Sequence, residues 1–151
     1  RVIPVDRHLR ERGIVTREWA DQACAGVLGG KLFFQRVIKP QVLDCNGDQA
    51  QINDALERAG PTLLAGLEKN APKHDFSVGE LSLADFTLSS WLRTGMLAGL
   101  SLTSNSYPML YAYLQRVYAC AAWQATLCSE NNLPVIQYAL DHCALNTNLL
   151  R

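Results

Sequence analysis

The sequence has no surplus of either charge: Lys and Arg number 14, and Asp and Glu number 14. A chain without a net field exerts no long-range pull on nucleic acid or an anionic membrane, so neither is expected as a partner. Long apolar runs are also missing. None approaches the roughly 20 residues that cross a bilayer, and no signal-peptide pattern occurs. His8, His74 and His142 are far apart and lack metal-ligand spacing, so no metal is expected. The five cysteines, Cys24, Cys45, Cys120, Cys128 and Cys143, are odd in number. They contain no CxxC and follow no regular spacing, which argues against a disulfide framework or a zinc site. Reduced, mostly buried thiols in a cytoplasmic protein are the expectation. Strand signals are scarce: Asn46-Gly47 lies between two helical segments, not between alternating apolar runs.

What is present is an ordinary globular balance, 48% hydrophobic and 19% charged, over 151 residues, enough for one core. Charge is mildly segregated. Residues 1–47 hold eight basic and five acidic side chains, and residues 48–103 hold four and seven, as solvated helix faces would. The opening stretch "RVIPVDRHLRERG" has no clear helical or strand period and reads as a linker over residues 1–15. It starts at Arg1 rather than Met, as a piece entered partway along a longer protein would.

Helical periodicity then dominates, and the fold class is all-α, a bundle of five to six helices. The first helix is expected from about Thr16, its N-cap, to Ile38, with Trp19, Ala23, Val27, Phe34 and Ile38 recurring at helical spacing and Pro40 ending it. Gly26, Gly29 and Gly30 inside it imply a close backbone approach or a bend, since each costs about 1 kcal/mol relative to alanine. A second helix spans about Asp48 to Lys69, kinked at Gly60-Pro61. A third, Ser82 to Leu97, is apolar on nearly every side and therefore central. A fourth spans about Ser106 to Ala122. A short piece near Trp123–Leu127 and a last helix from Pro134 to Leu145 follow.

The stretch "GELSLADF" places Asp85 in apolar company, where a carboxylate is costly unless donors surround it. Ser82 and Asp85 are three apart at a helix start, the spacing of a capping box. The Ser82 hydroxyl is expected to accept from the Asp85 N–H, and the Asp85 carboxylate to reach back to the Ser82 N–H. A catalytic acid would need a cleft and a proton-transfer partner, and neither is evident. His142 beside Cys143 sits about 100° round a helix from it, poor geometry for a Cys–His dyad, so no catalytic residue is assigned. The aromatic residues Tyr107, Tyr111, Tyr113, Tyr118 and Trp123 have only Arg116 among them, which lacks the basic interleaving of a nucleic-acid surface.

"GELSLADF" also resembles the Gly-x-x-Ser/Thr-x-Ala-Asp motif that opens the central helix in the C-terminal domain of cytosolic glutathione transferases. "KLFFQRVIKP" resembles the end of that domain's first helix in bacterial-type members. "YPMLYAYLQRVYACAAWQ" is similar to a later segment, with Tyr113 where Trp is common and Ala121 where Pro is usual. The resemblance covers roughly Thr16 to Leu127, which implies a helical domain at 16–127 and a C-terminal helical tail at 128–151. The family holds its co-substrate glutathione in a thioredoxin-like N-terminal domain, and no such domain is in this sequence. The resemblance therefore implies a helical domain that walls the electrophile's pocket, with Trp19, Ala23, Cys24 and Val27 as candidates, and that joins a homodimer. Two other readings stay open. One is a non-catalytic interaction module of the same helical type, as in translation-factor or synthetase scaffolds. The other is an unrelated small bundle that binds an apolar ligand.

Overall fold

The computed structural model describes residues 6–145 and 148–150, with several side chains of the first helix outside the description, Thr16 and Trp19 among them. The described residues form six helical rods and no strand. The first rod is α1 (Arg7–Cys24), a π-helical stretch Ala25–Ile38, and α2 (Lys39–Val42). The second is α3 (Gln49–Asp54), a π turn Ala55–Ala59, and α4 (Gly60–Asn70). Then come α5 (Leu83–Leu97), α6 (Pro108–Tyr118), α7 (Ala121–Glu130) and α8 (Pro134–His142).

Three boundaries differ from the sequence reading. Residues 1–5 lie outside the described residues, but α1 begins at Arg7, so Thr16 is inside a helix and not its N-cap, and residues 7–15 are helical. That segment has too few apolar residues to show a period. It holds good helix formers and an Arg7–Glu11 pair one turn apart at 2.8 Å, and α1 packs along α5. Secondly, the first rod runs through Pro40 to Val42. The preceding π register explains how: the Lys39 N–H donates to Phe34, five residues back, so the ladder has already shifted when the residue without an N–H arrives. The second rod handles Pro61 the same way, with the Gly60 N–H donating to Ala55. Thirdly, α7 crosses the 127/128 boundary, and α8 sends Ile136, Ala139 and Leu140 into the same core as the other rods.

The core is built round α5, as its all-round apolar pattern requires. Leu92, Met96 and Leu97 of α5 meet Leu28 and Leu32 of the first rod, Leu64 of α4, Leu110 and Leu114 of α6 and Leu127 of α7 in one cluster. Gly99, two residues beyond the end of α5, turns the chain with a φ of +97°. The Arg36 Nη1 donates to the carbonyl of Ala98 at 3.0 Å, so the first rod supplies the cap for the end of the central helix. Of Gly26, Gly29 and Gly30, Gly29 marks the close approach. A Cβ there would stand 2.9 Å from the Trp91 ring, and that indole N–H donates to Asp21 at 2.9 Å.

Candidate functional site

Asp85 is fully buried, and its carboxylate is surrounded by donors. Oδ2 accepts from the Ser82 N–H at 2.8 Å and the Ser82 hydroxyl at 2.7 Å. Oδ1 accepts from the Ser77 N–H at 2.8 Å and the Tyr113 hydroxyl at 2.7 Å. The reach back to Ser82 was legible from the three-residue spacing. Both halves of the capping box are present, and the Ser82 hydroxyl in addition donates to the carboxylate. Tyr113 was missed as a partner, because its link joins residues 28 apart that only tertiary packing brings together. Arg116, one turn further along α6, donates to the Pro72 carbonyl at 2.6 Å and so pins the other end of the same loop. Asp85 thus ties the 71–82 loop, the start of α5 and α6 into one knot. With every oxygen occupied by a fixed protein donor, it has no opening through which to exchange a proton with a substrate.

A second carboxylate plays a related part. Glu68 in α4 reaches the first turn of α6, where Oε1 accepts from the Met109 N–H at 2.9 Å and Oε2 from the Leu110 N–H at 2.8 Å. Two of the unpaired N–H groups of that turn are satisfied by a negative charge at the positive end of the dipole. Local sequence gives no signal for it, since Tyr107 at the N-cap position makes no side-chain cap bond. Glu68→Ala is expected to lower the unfolding free energy by about 1–2 kcal/mol. Urea unfolding followed by circular dichroism checks this, and Glu68→Gln should recover only part of the loss.

The proposed pocket residues fall differently. Ala23 and Val27 are half-buried, with Val27 packed against the core, while Cys24 is fully buried inside it. The side chain of Trp19 lies outside the described residues. Burial, with Asp21 adding to it, pushes the Cys24 thiol from 9.0 up to about 12, so it stays protonated and is no nucleophile at neutral pH. Burial likewise raises the Tyr113 and Tyr118 phenols above their ordinary 10.0. These groups keep their protons in the folded chain after the unfolded chain has lost its own. The folded state then binds more protons, so stability is fully present below about pH 9 and falls as pH rises beyond it. Urea midpoints at pH 7, 9 and 10.5 should be level over the first step and drop over the second.

Arg93 was also missed. It is 4% exposed, with Nη1 3.1 Å from Glu130 and Nη2 donating to Asn131 at 2.8 Å, which ties α5 to the end of α7. Among the described residues no group of three or more His, Cys, Asp or Glu could hold a metal, and no helix is long and apolar enough to cross a membrane.

With this geometry in place, comparison with known proteins is decisive for the family. Residues 28–120 match the model of the glutathione S-transferase C-terminal domain, a span from the first rod through α6 that includes the Asp85 knot. The chain belongs to the glutathione S-transferase C-terminal domain family. Its fold is similar to that of FzlA from C. crescentus, with a TM-score of 0.77 at 17% identity, over 99% of this chain and 62% of that one. It is also similar to a glutathione S-transferase from Sinorhizobium meliloti 1021, with a TM-score of 0.67 at 18% identity, over 85% of this chain and 57% of that one. The transferase-type domain described here therefore spans about three-fifths of the length of each. No curated protein matches it in sequence.

Proposed function

We propose that this chain serves as the helical half of a cytoplasmic, dimeric glutathione S-transferase. Its partner would be a thioredoxin-like domain that binds glutathione and lowers the thiol pKa, since the thiolate is the nucleophile. The helical half would contribute an apolar wall from Trp19, Ala23 and Val27, with Cys24 backing it from the core. That wall would hold the electrophile in line and keep water out. Ser82 and Asp85 would act as a structural capping box and carry no chemistry.

The observation that carries this reading is the family match over residues 28–120. A test begins with the natural gene product. Its intact mass should exceed 16.7 kDa by about one small domain. It should bind glutathione and conjugate it to an aryl halide. Trp19→Ala should raise the KM for the halide about fivefold, a loss of about 1 kcal/mol, with the KM for glutathione unchanged. A natural product that neither binds glutathione nor conjugates it would sink the reading and turn attention to an assembly module.

A further inference from the structure

Asn46-Gly47 is a sequence motif that neither the fold nor the proposed function has used. It lies in the connection between the two rods, after Val42 and before Gln49, and Asn46 is exposed. The backbone on either side is tied down. The Cys45 N–H donates to the Lys39 carbonyl at 3.1 Å, and the Asp48 N–H donates to the Gln35 Oε1 at 3.0 Å. Between these two bonds, neither the Asn46 side-chain amide nor the Gly47 N–H has a hydrogen-bond partner among the described residues.

We propose that Asn46 is a site of spontaneous deamidation through a cyclic imide, and that the product loosens the second rod from the first. The Gly47 nitrogen, after giving its proton to hydroxide, attacks the carbonyl carbon of the Asn46 side chain. The new C–N bond closes the imide ring. The bond from that carbon to the side-chain nitrogen breaks, and ammonia leaves with a proton taken from water. Water then opens the ring at either carbonyl. One opening gives aspartate. The other gives isoaspartate, in which the main chain runs through the former side chain and is longer by one carbon. An amide and water become an acid and ammonia, with no change of oxidation state.

The fold singles this asparagine out. Gly47 has no Cβ to crowd the attacking nitrogen, and both reacting groups are free of competing bonds. The other asparagines between residues 46 and 145 lack that freedom. The side chains of Asn53, Asn70, Asn131 and Asn132 are held in hydrogen bonds. Asn105 is exposed, but the N–H that follows it, on Ser106, donates to the Thr103 hydroxyl at 3.3 Å.

The connection also has no slack for a longer main chain. A Cβ at Gly47 would overlap the Gln35 carbonyl and stand 3.3 Å from Ile52, so this glycine is pressed between the two rods. The next residue, Asp48, caps the second rod, its Oδ1 accepting from the Ala50 N–H at 3.0 Å and the Gln51 N–H at 3.2 Å. A carbon inserted just before Gly47 displaces both, and the Gln35 bond and the cap are lost together. Ordinary aspartate leaves the backbone as it was and adds a negative charge just before a helix start, where the dipole favours it.

The 151-residue chain, aged in its folded state at pH 7 and pH 8.5, provides the test. Peptide mapping by mass spectrometry reads the acid formed at each asparagine, and chromatography separates the two isomers of the peptide holding Asn46. Asn46 should convert at least tenfold faster than Asn105, and faster at the higher pH, because the attacking nitrogen must lose its proton. The aged acidic fraction, collected by ion exchange and containing isoaspartate, should unfold at a lower urea midpoint than Asn46→Asp, which carries the same charge on a normal backbone. Asn46→Ser should keep the parent midpoint and abolish the conversion. The proposal is overturned if Asn46 stays intact or converts less than tenfold faster than Asn105, or if the isoaspartate fraction unfolds at the midpoint of Asn46→Asp.

Discussion

Asp85→Asn should lower the unfolding free energy by about 4 kcal/mol, among the largest effects of any single change in this chain. The carboxylate accepts from two backbone N–H groups and two hydroxyls, all in or beside the buried knot. An amide of the same shape keeps one acceptor oxygen and turns a donor NH2 toward groups that are themselves donors. Leaving a buried donor unmatched costs about 1–3 kcal/mol, and more where the lost partner was charged. Tyr113→Phe removes one of the four bonds and should cost about 1.5–3 kcal/mol, less than Asp85→Asn. Urea unfolding of both variants checks the ranking. An Asp85→Asn protein within 1 kcal/mol of the parent would show that the knot is not the lock described here.

Gly99→Ala should cost about 3 kcal/mol, for two reasons that add. The first is backbone conformation: at φ +97° a residue with a Cβ is strained by about 1–2 kcal/mol before any contact is counted. The second is space. A Cβ at position 99 would overlap the Arg36 guanidinium and come within 2.8 Å of the Cys143 carbonyl oxygen. The arginine can swing away only by giving up its bond to the Ala98 carbonyl, which caps α5. The carbonyl belongs to the backbone just after α8 and cannot move without shifting that helix. Gly26 is the matched control, because a Cβ there meets nothing within 4 Å and its φ is not positive. Gly26→Ala should be neutral or slightly stabilising. Thermal unfolding of the pair isolates the effect, and equal midpoints would refute it.

The rods were legible in the sequence wherever a local rule governs them. Apolar residues at helical spacing gave α5 its central place. The second helix was placed from about Asp48, and the structure makes that residue its N-cap, with the carboxylate accepting from Ala50 and Gln51. The Ser82–Asp85 spacing located the start of α5. The π register was hidden, and with it the buried face of the first rod: Leu28, Leu32, Gln35 and Val37 turn to the core, while Phe34, read at α-helical spacing, is 40% exposed. Hidden too were the partners that depend on docking. Tyr113 at Asp85, Arg36 at the end of α5 and Trp91 against Gly29 all join residues more than 25 apart in sequence. Pro40 misled because proline is read as a stop on the premise of α geometry, and the preceding turns do not have that geometry.

The cap that Glu68 places on α6 bears on the order in which the chain is made. The carboxylate leaves the ribosome about 40 residues before the backbone it will satisfy, in a rod whose earlier turns can already pair with the first rod. When Met109 and Leu110 emerge, their acceptor is waiting on a partly built surface. α6 therefore need not form by itself, where its own start offers no side-chain cap. A translating chain sets its earlier half as a template and lays the later helix onto it. Circularly permuted, with α6 made first, the same sequence would have to hold that helix uncapped until α4 arrived.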